Sequence, residues 1–154
     1  MESKQYQNRS GGGFNNRYSQ QKKKTFQELA LDVKKQFFND NIDELLNMSS
    51  TSNLDSILQN IEKFVSEEGK SLSTSQLRNI YDKVKRLKDN DLNGLKLFRP
   101  NLAYIAGRST NEKEKSLLAF IDFLIKSINS EKQVKEFKIF FEAVVAYHKF
   151  YGKQ

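Results

Sequence analysis

The chain has 154 residues, a formal net charge of +7, no cysteine and a single histidine. That length holds one domain-sized core, and the composition removes disulfide frameworks, thiolate metal sites, cysteine nucleophiles and multi-histidine metal centres. No run approaches the roughly 18 apolar residues of a membrane span, and the start lacks the apolar stretch of a secretory signal, so a soluble, cytoplasmic protein is expected.

Residues 1–24, MESKQYQNRSGGGFNNRYSQQKKK, hold six basic groups against Glu2. Their Gln, Asn, Ser and Gly leave too little apolar surface to offset the entropy of ordering, so a disordered basic tail is expected. Arg9, Arg17 and Lys22 to Lys24, interleaved with Tyr6, Phe14 and Tyr18, suit loose RNA contact or, equally, a solubilising role. Charge then swings. Residues 25–69 carry three basic and nine acidic groups, whereas residues 70–108 carry nine basic and three acidic. Such asymmetry suits an anionic partner or, for any one charge run, a solvated helix face.

From Thr25 onward, Ser or Thr followed three residues later by Glu or Gln marks helix starts at Thr25/Glu28, Ser73/Gln76, Ser109/Glu112 and Ser130/Gln133. Each precedes apolar residues at a period near 3.6, and no strand pattern competes. A helix is also predicted from Leu54 to Glu67, capped by Asn53 and stopped by Gly69, with Leu54, Ile57, Leu58, Ile61 and Val65 on one face. Pro100 belongs in the first turn of a short helix, PNLAYIAGR, where its missing amide hydrogen costs nothing. Gly107 then marks a stop or a close helix contact.

Leu117, Ile121, Leu124 and Ile128 share a face, flanked by Phe120 and Ile125. In the last helix Val134, Phe137, Phe141, Val144, Val145 and His148 form a stripe, with Phe140 and Tyr147 at its margin. The expected fold is all-α: residues 25–154 as a compact bundle of five to six helices behind the tail.

Catalytic material is scarce, and no enzyme, cofactor or metal is expected. His148 lies in the middle of an apolar stripe, which suits a hydrogen-bonded core histidine. Glu142 falls on the polar side of the same helix, away from it. Asp40, Asp43 and Glu44 lack the spacing of a calcium loop and read as solvent-facing charges, and Gly11 to Gly13 follow no strand that would make a phosphate loop. What remains is basic. Arg78 and Lys85 share a helix face with Arg86 beside them, and Lys96, Arg99 and Arg108 bracket Pro100. Arg and Lys on stiff helices neutralise phosphates without reading bases.

Three blocks carry a resemblance: STSQLRNIYDKVKRL at 73–87, LKLFRPNLAYIAGRS at 95–109 and FFEAVVAYHKFYG at 140–152. Together, in this order, they resemble the small subunit of the type III-A CRISPR effector, the Csm complex; residues 1–60 carry little of the signal. The resemblance implies a helical subunit without an active site, stacked in copies as an inner filament beside repeat-containing backbone subunits and a large subunit. Catalysis would belong to those neighbours. This chain would support the duplex of guide RNA and target RNA, with base pairing supplying the sequence reading. Arg78, Arg99 and Arg108 match the basic positions of the blocks and are the first candidates for RNA contact. Lys70, Lys85, Arg86 and Lys96 follow on local charge, and Lys149 follows His148 in the third block. For Arg99 and Arg108 a second role stays open, capping the carbonyls of a neighbouring helix, and Tyr104 and Tyr147 suit packing. A protein scaffold without RNA contact is the alternative function.

Overall fold

The structure, a computed structural model, describes residues 23–152. The expected tail, residues 1–24, falls outside them except for its last two positions, of which Lys24 pairs with Asp32 at 2.6 Å.

Among the described residues the elements are α1 (Phe26–Phe38), a 3-10 turn (Asp43–Leu46), α2 (Leu54–Glu68), α3 (Thr74–Lys85), α4 (Leu92–Lys96), α5 (Arg99–Arg108), α6 (Glu112–Ser127) and α7 (Lys132–Tyr151), with no strand. Six of the helices have ten residues or more, as the periodicity predicts; α4 has only five.

The helix starts show how far a capping pattern can be read. Thr25 and Glu28 form the full reciprocal box. Ser73 accepts from the Gln76 amide, as expected. At the third site the cap is instead Asn111, accepting from the Glu114 amide, and Ser109 donates to the Glu114 carboxylate at 2.5 Å. The helix therefore starts two residues later than the predicted Ser109 cap sets it, because Asn is as good an N-cap as Ser, while Ser109 takes the Asn111 backbone amide and the Glu114 carboxylate. At the fourth, Ser130 makes no side-chain cap; the Gln133 side chain reaches back to the Asn129 amide at 2.9 Å. Asn53 stands at the start of α2 without capping it, its amide donating instead to Glu44. Thr51 donates to the same carboxylate, so Glu44 staples the 47–53 loop rather than merely facing solvent, and these bonds hold its carboxyl below the usual range. Pro100 takes its predicted place in the first turn of α5.

Helix α6 is the centre of the bundle: it packs on α1, α5 and α2, and is buried almost continuously from Ser116 to Ile125. Helix α7 packs beside it on α2 and α3. Where these meet, Phe120 stacks on Phe38 at 4.9 Å and meets Phe64 edge-on at 5.4 Å, with Phe140 at 6.3 Å. Such ring pairs add to the burial of their area. The expected stripe of α7 is buried, Val145 only partly, while Phe140, expected at the margin, is fully enclosed because α6 covers that side too. Leu54 departs the other way, 39% exposed at the start of α2.

His148 is buried, and its Nε2 lies 2.9 Å from the carbonyl oxygen of Gly69. A carbonyl only accepts, so that nitrogen carries the proton. Gly69 is needed for closeness, not for a left-handed turn. A Cβ there would sit 2.9 Å from the Val65 carbonyl oxygen and 3.1 Å from both His148 and Leu117. The glycine thus lets the loop before α3 dock between α6 and α7. Burial pushes the imidazole's pKa down, against the raising effect of hydrogen bonds to the Gly69 and Leu72 backbone. Glu142, on the outer side of α7, accepts from the Tyr81 hydroxyl at 2.7 Å.

Candidate nucleic-acid interface

Helix α3 buries Leu77, Ile80, Tyr81 and Val84, which fixes its opposite side outward. On that outward arc and the segment after it, Arg78, Lys83, Lys85, Arg86 and Lys88 are all exposed, Arg78 and Lys85 towards the Tyr81 flank and Lys83 towards the other. The acidic group among them, Asp82, lies 3.7 Å from Arg78, one helical turn away, a solvent-exposed pair of small worth. The result is a cationic ridge on a rigid helix. Lys138 of α7 anchors its far end, donating to the carbonyls of Lys85 and Leu87 and pairing with Asp89 at 2.9 Å, which holds the Asp89 carboxyl below its ordinary range. Lys85 also lies 5.8 Å from the Tyr81 ring centroid. Burial and the bond to Glu142 push the Tyr81 phenol up to about 12, so it stays a neutral donor.

The three motif arginines are not gathered on one surface. Arg78 lies on the flank of α3 that carries Tyr81 and faces α7. Arg108, at the end of α5, shares a recess with Gln76, which points from the opposite flank of α3. Arg99 faces inward: its Nε donates to Oδ1 of the buried Asp122 at 2.9 Å and its second nitrogen reaches Oδ2 at 3.4 Å. That bond clips α5 to the central helix.

Lys96 is similarly engaged, donating to the carbonyls of Ile125 and Lys126 at 3.0 and 3.2 Å and so capping the C-terminus of α6. Burial and the neighbouring Arg99 lower its pKa. The capping role left open for Arg99 thus falls to Lys96, and Arg99 has a carboxylate instead. Lys70, in the loop before α3, and Lys149, near the end of α7, are exposed but lie apart from the ridge in sequence and element.

Lys83 escaped the sequence reading, which followed the seven-residue spacing of Arg78 and Lys85. A helical-wheel count of every exposed position in the amphipathic α3 would have found it. Tyr104, which suits packing by its place in the motif, is 63% exposed, with Arg108 beside its ring at 5.8 Å. Among the described residues no group of three His, Asp or Glu side chains is placed to hold a metal ion, and no helix is long and apolar enough to cross a membrane.

The sequence model of the family described as Csm2 Type III-A matches residues 48–154. The chain belongs to this family. Among curated proteins, it is 35% identical over 89 residues to one described as CRISPR system Cms protein Csm2 from Streptococcus thermophilus, an overlap that covers 53% of this chain and 74% of the relative. No solved structure matches the chain.

Membership makes it a small subunit of the type III-A Csm complex. The match begins at residue 48, earlier than the three blocks alone, and takes in α2 to α7 while leaving out α1. Much of the three blocks is core: Leu77, Ile80, Leu102, Ala106, Phe141, Val144 and His148 are all buried. Exposed positions within them include Arg78, Lys83, Lys85, Arg86, Tyr104 and Arg108.

Proposed function

We propose that the chain is a non-catalytic, RNA-binding subunit of its effector. Copies of it stack as an inner filament beside the repeat-containing backbone subunits and the large subunit. There it supports the duplex of guide RNA and target RNA through phosphate and ribose contacts, in cytoplasmic antiviral defence. A bundle of packed helices suits this role, because a stacking subunit needs stiff faces.

The observation that carries the reading is the outer side of α3. Arg78, Lys83, Lys85, Arg86 and Lys88 stand exposed with Asp82 as their close acidic neighbour, on a helix pinned by a buried face. Fixed cations on a rigid support suit a regular phosphate track and are indifferent to base identity. Lys96 and Arg99 are spent on internal bonds, so the reading rests on the ridge and on Arg108.

A pure protein scaffold is favoured by a different observation: Leu97 and Phe150 are 76% and 80% exposed, which suits burial against protein neighbours. The two readings separate in a reconstituted complex carrying Arg78→Gln, Lys83→Gln and Arg86→Gln together. RNA support predicts a full complement of copies with weakened retention of the target strand. Full copies with unchanged retention would leave only the scaffold.

A further inference from the structure

The motif block around Pro100 contains two residues that the bundle itself does not use. Tyr104 presents its ring to solvent at 63% exposure, so packing within the chain does not account for an aromatic there. Gly107, one turn along α5, has no left-handed backbone angle, and a Cβ built on it would meet nothing within 4 Å. It stands one residue before the end of α5, where the sequence suggested a stop, but it makes no close helix contact and no backbone angle there requires a glycine. Glycine within a helix is disfavoured against alanine. A large exposed ring and an unneeded glycine, three residues apart on one helix, are neighbours on the same surface. That surface is shaped for close approach by something outside the chain.

Its rim is polar and carries one cation, Arg108, and one carboxylate, Glu114. The Arg108 guanidinium lies 5.8 Å from the Tyr104 ring centroid, and a recess of about 360 Å³ beside them is lined by Gln76, Ile105, Ser109 and Glu114 as well. Gln76 belongs to the first turn of α3, the helix whose outer side is the cationic ridge. Lys83, seven residues on from Gln76 and exposed, lies on the same flank of α3, so a strand whose phosphates reach Lys83 passes this shelf.

An apolar protein side chain seated here would strip water from Arg108 and Gln76 without replacing their hydrogen bonds. A flat heteroaromatic ring with a phosphate attached meets Tyr104, Gln76 and Arg108, while the Glu114 carboxylate is already taken by the Ser109 hydroxyl. It stacks on Tyr104 across the space left by Gly107, sets its phosphate against Arg108, and offers its edge to the Gln76 amide, which both donates and accepts. Paired bases are already stacked within a duplex, so the occupant is unpaired.

We propose that Tyr104 and Arg108 form a stacking site for one unpaired nucleobase of the RNA carried by the complex, an inference that rests on the RNA contact assigned to α3. The test uses the reconstituted complex with target strands carrying 2-aminopurine at one position at a time. Stacking on Tyr104 predicts a quenched position whose fluorescence recovers with Tyr104→Leu but stays quenched with Tyr104→Phe. Target retention should fall about 5- to 150-fold with Tyr104→Leu, and Gly107→Leu, which fills the approach, should reproduce the loss. Because Tyr104 and Gly107 lie on the surface, thermal unfolding of Tyr104→Leu should match the parent and that of Gly107→Leu should be no lower.

Unchanged fluorescence and retention in Tyr104→Leu, while the triple ridge variant loses RNA, would overturn the stacking site and leave the ridge standing. Unchanged retention in both would remove the RNA reading on which it rests. Loss of subunit copies in Tyr104→Leu, with RNA retention per copy intact, would assign the shelf to a protein neighbour and overturn the proposal.

Discussion

Replacing Arg99 with alanine separates two roles for a motif arginine. The structure gives it to Asp122, whose side chain is 12% exposed while that of Arg99 is 36% exposed. Removing the guanidinium leaves a carboxylate on the central helix with most of its surface covered and its two bonds, at 2.9 and 3.4 Å, lost. Breaking a fully buried pair costs about 3–5 kcal/mol, and loss of hydrogen bonds to a charged group about 1.5–3. Because Arg99 is at the surface, water can enter the gap, which puts the expected loss at about 2–3 kcal/mol.

For a fold of this size that is about 8–12 °C in Tm, read by circular dichroism at pH 7. Adding Asp122→Asn to Arg99→Ala removes the stranded charge and should recover part of the loss, as a double-mutant cycle would show. RNA retention, compared well below both melting points, should keep its salt dependence. A variant as stable as the parent, with a shallower salt dependence, would refute the structural assignment and return Arg99 to the RNA contacts.

The buried imidazole gives a pH signature. Its folded pKa lies below the ordinary value of about 6.5, so around that pH the unfolded chain binds the extra proton first. Stability is then complete above about 6.5 and falls as pH drops toward the lowered folded value, below which the penalty levels off. His148→Gln should flatten that part of the curve in denaturant titrations at several pH values, and a slope unchanged by the substitution would contradict the assignment. Gly69→Ala forces a Cβ to 2.9 Å from the Val65 carbonyl oxygen and 3.1 Å from His148 and Leu117. It should cost about 1–3 kcal/mol by overpacking, whereas a neutral result would show that the 69–72 loop gives way freely.

The helical character was readable because apolar spacing near 3.6 marks a buried face whatever it packs against. Phe137, Phe141 and Val144 point inward as their spacing requires. Caps were harder to place: Asn111 displaced Ser109 because both segments satisfy the same local chemistry, and only the packing of α6 decides between them. The site was less legible still. A carboxylate in the middle of an apolar helix, Asp122, gives no sign in the sequence of which cation it will take, and it took Arg99 from 23 residues away. Lys96 likewise found its carbonyls on another helix. Spacing along one helix could locate the ridge of α3, since that depends only on helical geometry, but it could not say that Arg108 and Arg78 border opposite flanks.

The most direct test of the account is the salt dependence of target-strand retention by the complex, with and without the ridge charges. Each lost phosphate contact lowers the slope of log K against log salt by about 0.7–0.9. With Arg78→Gln, Lys83→Gln and Arg86→Gln in place, the account predicts a slope shallower by about 2–3 at an unchanged number of copies. A slope equal to the parent's, with the copies all present, would show that the outer side of α3 does not touch the nucleic acid.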